Sequence, residues 1–357
     1  MKNRNKPIKS KLYNRISRAE RERRNKERIR RILPHNNFKE YYREYIGRER
    51  HSETIKPKDN FELLKEPQDV ISFVEILKSF KYRDDILEVK INLDDVKTID
   101  IGALSLLLSS VEELSLNDKN VSGSVPKNKD AYDFLAESGF FRNISNLSKR
   151  LSNRIETNKK KNQNLLLIGY PSTKGKGKLI GENIKSAMGA LTGIPQHYRA
   201  IYTLVMEMNA NSIEHAYEKD KKHWVFGINY KEEENKLYFT FTDNGFGILK
   251  QLDIRLDRRV KELFKRLDLS NGTMLKNLFD KKYNSRFKTQ INRNRGLPII
   301  QNKAVNRSVN NLICITNNVY LNLQTRDDVK LNGEFSGTFY YWELDLKLFN
   351  ENARNFN

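Results

Sequence analysis

Glu207, Asn211 and His215 recur at intervals of four residues in the stretch LVMEMNANSIEHAY, positions 204–217. On an α-helix that spacing stacks all three on one face. A carboxylate and a carboxamide one turn apart can share one small site. The amide oxygen holds a hard cation, and the carboxylate takes a proton or orients a water. Leu204, Met208 and Ile213, with Val205 beside them, are the apolar positions expected to be buried opposite. Taken alone, the spacing also describes an ordinary half-exposed helix. A second stretch, TDNGFGI at 242–248, changes the balance. Gly245 and Gly247 let the backbone approach a ligand closely and adopt positive φ. Asp243, at the mouth of a strand, can accept a hydrogen bond from an exocyclic amine. A plain Asp-Asn-Gly hairpin would need another strand immediately afterwards. The chain instead continues into a charged helical stretch, Leu252 to Leu269.

The elements that must position these residues are legible in the pattern. Asn183 to Leu191 and Pro195 to Tyr217 read as helices, and Trp224 to Tyr230 and Lys236 to Thr242 as alternating strands joined by the turn EEEN. Upstream, Val70, Phe73, Val74, Leu77 and Phe80 fall at helical spacing, and Leu87, Val89, Ile91 and Leu93 alternate as in a half-buried strand. Ile99 to Leu116 reads as a turn entering an apolar helix, Val121 to Val125 as a short strand, and Lys129 to Ser138 as a helix closed by Gly139. The fold class is therefore α/β in the first unit and α+β in the second. The expected division is a basic tail at 1–35, a connector at 36–68 punctuated by Pro57 and Pro67, a first domain at 69–145, a basic linker with a short strand at 146–178, and a second domain at 179–348. The run STKGKGKLIGEN at 172–183 suggests a phosphate loop, but it lacks the required glycine spacing before a Lys-Ser/Thr pair and reads as a basic turn.

Composition sets outer bounds. The 357 residues suit two or three domains, and 18 Phe with 16 Tyr supply core material. No apolar run reaches the ~18 residues of a membrane span, and no secretory signal pattern opens the chain, so a cytoplasmic protein away from membranes is expected. The single cysteine, Cys314, excludes a disulfide framework or a cysteine-based zinc site and reads as a small core residue in a strand. Much of the net charge of +21 lies in the first 31 residues. That tail could make several phosphate contacts with nucleic acid, or it could be a solvated tail without a partner. No helix-turn-helix, zinc or aromatic stacking motif accompanies it.

The first unit resembles the STAS domain of anti-sigma-factor antagonists over residues 69–145. The family's I-D-S-S-G-L type turn corresponds to TIDIGALSLLL here, and its L-x-x-x-G helix to AYDFLAESGFFRNI. The family's phosphoacceptor serine falls on Gly102 and its neighbour on Ile101, so position 102 has no hydroxyl for the usual phosphorylation. Ser105, one turn further on, reads as a helix serine facing a neighbouring element. The resemblance implies a docking or scaffold domain.

The second unit resembles the GHKL ATPase superfamily, which has a Bergerat-type α/β sandwich. Glu207-x-x-x-Asn211-x-x-x-His215 is similar to its N box, in the form found in anti-sigma kinases, and Asp243-x-Gly245-x-Gly247 to its G1 box. NRNRGLPIIQNKAV, around Arg295, Gly296 and Leu297, is similar to the G2 box, although Asn294 and Pro298 replace usual glycines. SGTFYYWELDL, around Gly337 and Thr338, is similar to the closing strand. The resemblance implies ATP and Mg²⁺ as cofactors. Asn211 would ligate the metal, which needs few protein ligands. Glu207 would activate the attacking water or acceptor hydroxyl. Asp243 would read the adenine amine, Gly245 and Gly247 would pack near the nucleotide, and Thr338 would support the base. Gly296 and Leu297 would offer helix N-terminal N–H groups to phosphate. Arg286, Lys288, Arg293 and Arg295 are the basic candidates in the segment between the boxes, about 249–293. His215 is expected to pack at its helix end.

Together these readings make an ATPase or a protein serine kinase of regulatory function, with a protein partner and with a homodimer left open. The alternative is a nucleic-acid-associated factor whose ATP domain is a conformational switch. A histidine kinase is disfavoured, because no phosphoacceptor helical hairpin precedes Glu207 and none of His35, His51, His197, His215 and His223 has that context.

Overall fold

The computed structural model of the chain describes residues 51–144, 164–170, 176–214, 222–255, 269–281 and 296–354. The basic tail, most of the linker and residues 171–175 of the basic turn lie outside these. The described residues form a mixed α/β protein with both parallel and antiparallel sheets. Among them no helix is long and apolar enough to cross a membrane.

The N-terminal unit runs β1 (His51–Ile55), β2 (Asn60–Phe61), α1 (Pro67–Ser79), β3 (Ile86–Ile91), β4 (Thr98–Ile99), α2 (Ile101–Ser115), β5 (Asn120–Gly123) and α3 (Lys129–Glu137). Its larger sheet is parallel, in the order β1-β3-β5. Parallel neighbours need crossovers, and α1 and α2 supply them. The Asp100 carboxylate starts α2 by accepting from Ala103 N at 2.7 Å, and it also accepts from Leu64 N at 3.2 Å. Gly139, at φ 80, closes the turn after α3.

This unit begins before residue 69. β1 falls in the stretch expected to be a connector. It is an edge strand with Ser52 and Thr54 exposed, so it pairs through its backbone and carries no apolar alternation to read. The alternation expected in β3 fails at Leu87. One step of β1, His51 to Ser52, spans Ile86 to Glu88 on β3, and that irregularity buries Ile86 while leaving Leu87 40% exposed.

The C-terminal unit runs β6 (Leu165–Gly169), α4 (Lys176–Thr192), α5 (Arg199–Glu214), β7 (Trp224–Lys231), β8 (Lys236–Asp243), α6 (Ile248–Arg255), α7 (Asn271–Phe279), α8 (Gly296–Val305), β9 (Asn310–Asn322), β10 (Asp328–Asp345) and α9 (Leu346–Arg354). Helix α4 starts within the stretch expected to be a basic turn. The strands form one sheet, β6-β7-β8-β10-β9, with every neighbouring pair antiparallel.

Both faces of this sheet are covered. Phe226, Phe239, Phe241, Tyr340 and Trp342 pack with the apolar residues of α4, α5 and α8. Val225, Ile313, Ile315, Phe339 and Tyr341 point the other way and join the core of the N-terminal unit. There α2 lies against β7 and β8, and α1 against β10. Ser105 Oγ stands 2.6 Å from Thr240 Oγ1, and Ser109 Oγ 3.0 Å from His223 Nε2. Small side chains on one face of α2 thus let it settle onto the strands. Ser105 faces a neighbouring element, as expected, and that element is the second unit's sheet. Double coverage also explains why β7 is buried at every position from Trp224 to Asn229 instead of alternating.

Candidate functional site

On α5, the residues Ile201, Leu204, Val205 and Met208 are buried against the sheet. Ile213, expected on that face, is 40% exposed, and the buried stripe continues through Ser212 instead. Glu207 and Asn211 lie beside this stripe, half-buried and one turn apart. The start of α8 comes down onto them. A Cβ added to Gly296 would stand 2.8 Å from Asn211 Oδ1, 2.9 Å from Asn211 Nδ2 and 3.0 Å from Glu207 Oε2. Only glycine allows that approach without displacing the two side chains. The buried Nδ2 of Asn211 has no hydrogen-bond partner among the described residues. A flip of the amide exchanges its two terminal atoms, so the same position can present an oxygen. Leu297 comes next, with its side chain buried in the core.

A second group gathers where β8 ends. Asp243 Oδ1 accepts from Gly245 N at 2.8 Å, which folds the DNG turn back on itself. Burial pushes the Asp243 carboxyl above the usual carboxylate range. The Lys222 charge, the Gly245 N–H, the Lys78 charge and the Thr338 N–H oppose that shift. Thr338 is Asp243's partner across the β8–β10 ladder. The preceding Gly337, at φ 135, is forced by contact, since a Cβ there would lie 2.3 Å from Asp243 O.

Asn317 and Thr316 were not singled out by the sequence, yet they build this turn. Asn317 Oδ1 accepts from Leu249 N at 3.0 Å and Lys250 N at 3.3 Å, while its Nδ2 donates to Phe246 O at 2.9 Å. It thereby caps α6. It also fills the space a side chain at Gly247 would need: a Cβ there would stand 2.6 Å from Asn317 Oδ1, and φ is 83. Thr316 Oγ1 donates to Gly337 O at 3.1 Å and accepts from Ile248 N at 2.9 Å. The available signal was a polar Thr-Asn-Asn run inside an otherwise apolar strand pattern, NLICITNNVYL. Cys314 in that strand is buried, as expected.

The sequence-predicted residues therefore fall into two groups, Glu207 with Asn211 and Gly296, and Asp243 with Gly245, Gly247 and Thr338. Arg295, His215, Arg286, Lys288 and Arg293 lie outside the described residues. The described part of the 249–293 segment includes α6 and α7, both packed on β9. Comparison of the chain with protein-family models, curated proteins and solved structures returns no match.

Proposed function

We propose that the chain is a Mg-ATP-binding protein of the GHKL type, an ATPase or protein serine kinase, with a STAS-like N-terminal unit. The observation that carries this reading is the approach of Gly296 to both Asn211 and Glu207. Residues from distant parts of the chain, picked out for one phosphate and metal site, meet at the start of one helix. Such a start leaves backbone N–H groups available to an anion. The unpartnered amide of Asn211 fits a hard cation, which an amide oxygen ligates well. When bound, Mg²⁺ supplies charge neutralisation to the nucleotide phosphates.

The chain's own residues divide the work. Asn211 holds the metal. The Glu207 carboxylate takes a proton from the attacking water or from an acceptor hydroxyl. Asp243 accepts from the adenine amine, and Thr338 supports the base beside it. Gly245 and Gly247 let the backbone pack near the nucleotide, and their missing side chains leave room for Asp243 and Asn317.

In the N-terminal unit, Gly102 carries no hydroxyl. A Cβ there would already press on Leu63 Cδ2 at 3.1 Å. The unit thus serves as a scaffold that seals the sheet, with no hydroxyl at the position that corresponds to the family's phosphoacceptor. The test is turnover of ATP labelled at the γ-phosphate, tracking release and transfer to protein serine. Glu207→Ala should keep ATP binding and lose turnover. Undiminished turnover in that variant contradicts the role given to Glu207.

A further inference from the structure

Ser336 lies in a break of the β10 ladder. Phe335 pairs with Asn317 and Thr338 with Thr316, and the two residues between have no partner in the β9 register. Pairing with β8 begins only at Thr338. Backbone groups in such a bulge need partners elsewhere. For Ser336 they come from α1, in the other unit. Ser336 N donates to Glu75 Oε1 at 3.0 Å, and Ser336 Oγ donates to Glu75 Oε2 at 3.1 Å. Lys78 Nζ donates to Ser336 O at 2.6 Å and lies over the Phe335 ring at 4.6 Å. Lys78 is 2% exposed. The next residue, Gly337, rests against the Asp243 backbone, and the one after is Asp243's ladder partner.

We propose that Glu75 and Lys78 are positioning residues of the nucleotide site, gripping Ser336 so that the N-terminal unit sets the Asp243–Thr338 floor under the base. This rests on the ATP-binding reading. The grip is at three points, on the amide, carbonyl and hydroxyl of one residue, and it is held from a different sheet system. Strand β10 cannot shift there without breaking it.

Lys78 also acts through its charge. With Lys222 it favours the ionised Asp243 carboxylate, which burial disfavours. From the other strands Cys314 and Tyr340 face the same carboxylate, and burial keeps both neutral. Lys78 itself lies 4.0 Å from Glu75 and 3.9 Å from Glu113, and Glu113 is paired with Lys81.

The experiment is calorimetric titration of the full chain with Mg-ATP from mildly acidic to neutral pH, with circular dichroism confirming the fold of each variant. Lys78→Met should weaken ATP binding by about fivefold or more and move the acid limit of binding to higher pH. Lys78→Arg should restore both. Glu75→Ala, at a partly exposed site, should weaken binding without moving the pH limit. Wild-type affinity and pH limit in both Lys78→Met and Glu75→Ala would overturn the positioning role and leave the ATP reading standing. Absence of ATP binding by the wild type would overturn both.

Discussion

The Ser105 and Thr240 hydroxyls lie 2.6 Å apart, one on a helix of the N-terminal unit and one on the central strand of the C-terminal sheet. Gly227, Thr240's ladder partner, makes room for this contact. A Cβ at Gly227 would stand 2.2 Å from Thr240 Oγ1 and 3.0 Å from Ser105 Oγ. Gly227→Ala should therefore destabilise the protein by about 1–3 kcal/mol through overpacking. Urea unfolding monitored by fluorescence measures it. Because the two units share one core, the wild type should unfold in a single transition. Two separate transitions would contradict the shared core.

Much of this arrangement was readable from residue order. The helical spacing of Val70, Phe73, Val74 and Leu77 puts all four in the core. The apolar run after Asp100 becomes a capped helix, and the glycine at 139 closes the next one. Strand β1 was hidden, because an edge strand paired through its backbone has no reason to alternate. The covering of the sheet's second face was hidden too, since periodicity reports that a face is buried and not what buries it. In the candidate site, Glu207, Asn211, Asp243 and the glycines stood out by type and spacing. Asn317 did not, because its role depends on a turn that reaches it from distant sequence.

Asn317→Ala should test that turn. It removes the one oxygen that accepts both capping N–H bonds at the start of α6, and the donor to Phe246 O. A stability loss of about 1–2 kcal/mol is expected. ATP affinity should fall with it, since the Asp243–Gly247 loop loses its support. A variant with unchanged affinity would separate Asn317 from the site.

The half-buried Asp243 gives a pH dependence of definite sign. Its folded-state carboxyl titrates above its unfolded value because of burial. Between those two values the folded protein holds more protons than the unfolded chain. This group's contribution to stability is therefore largest below the unfolded value and falls as pH rises through the folded one. Asp243→Asn, which stays neutral, should be most favourable relative to wild type at neutral pH. That advantage should shrink on acidification. Chemical unfolding of both proteins at several pH values checks it, and a difference independent of pH would contradict the raised carboxyl titration.

The most direct test of the central claim is isothermal titration of ATP into wild type and Asn211→Ala, with and without Mg²⁺. The account predicts Mg-dependent binding by the wild type and its loss in Asn211→Ala, with the fold of the variant intact. Equal binding by the two proteins would contradict it.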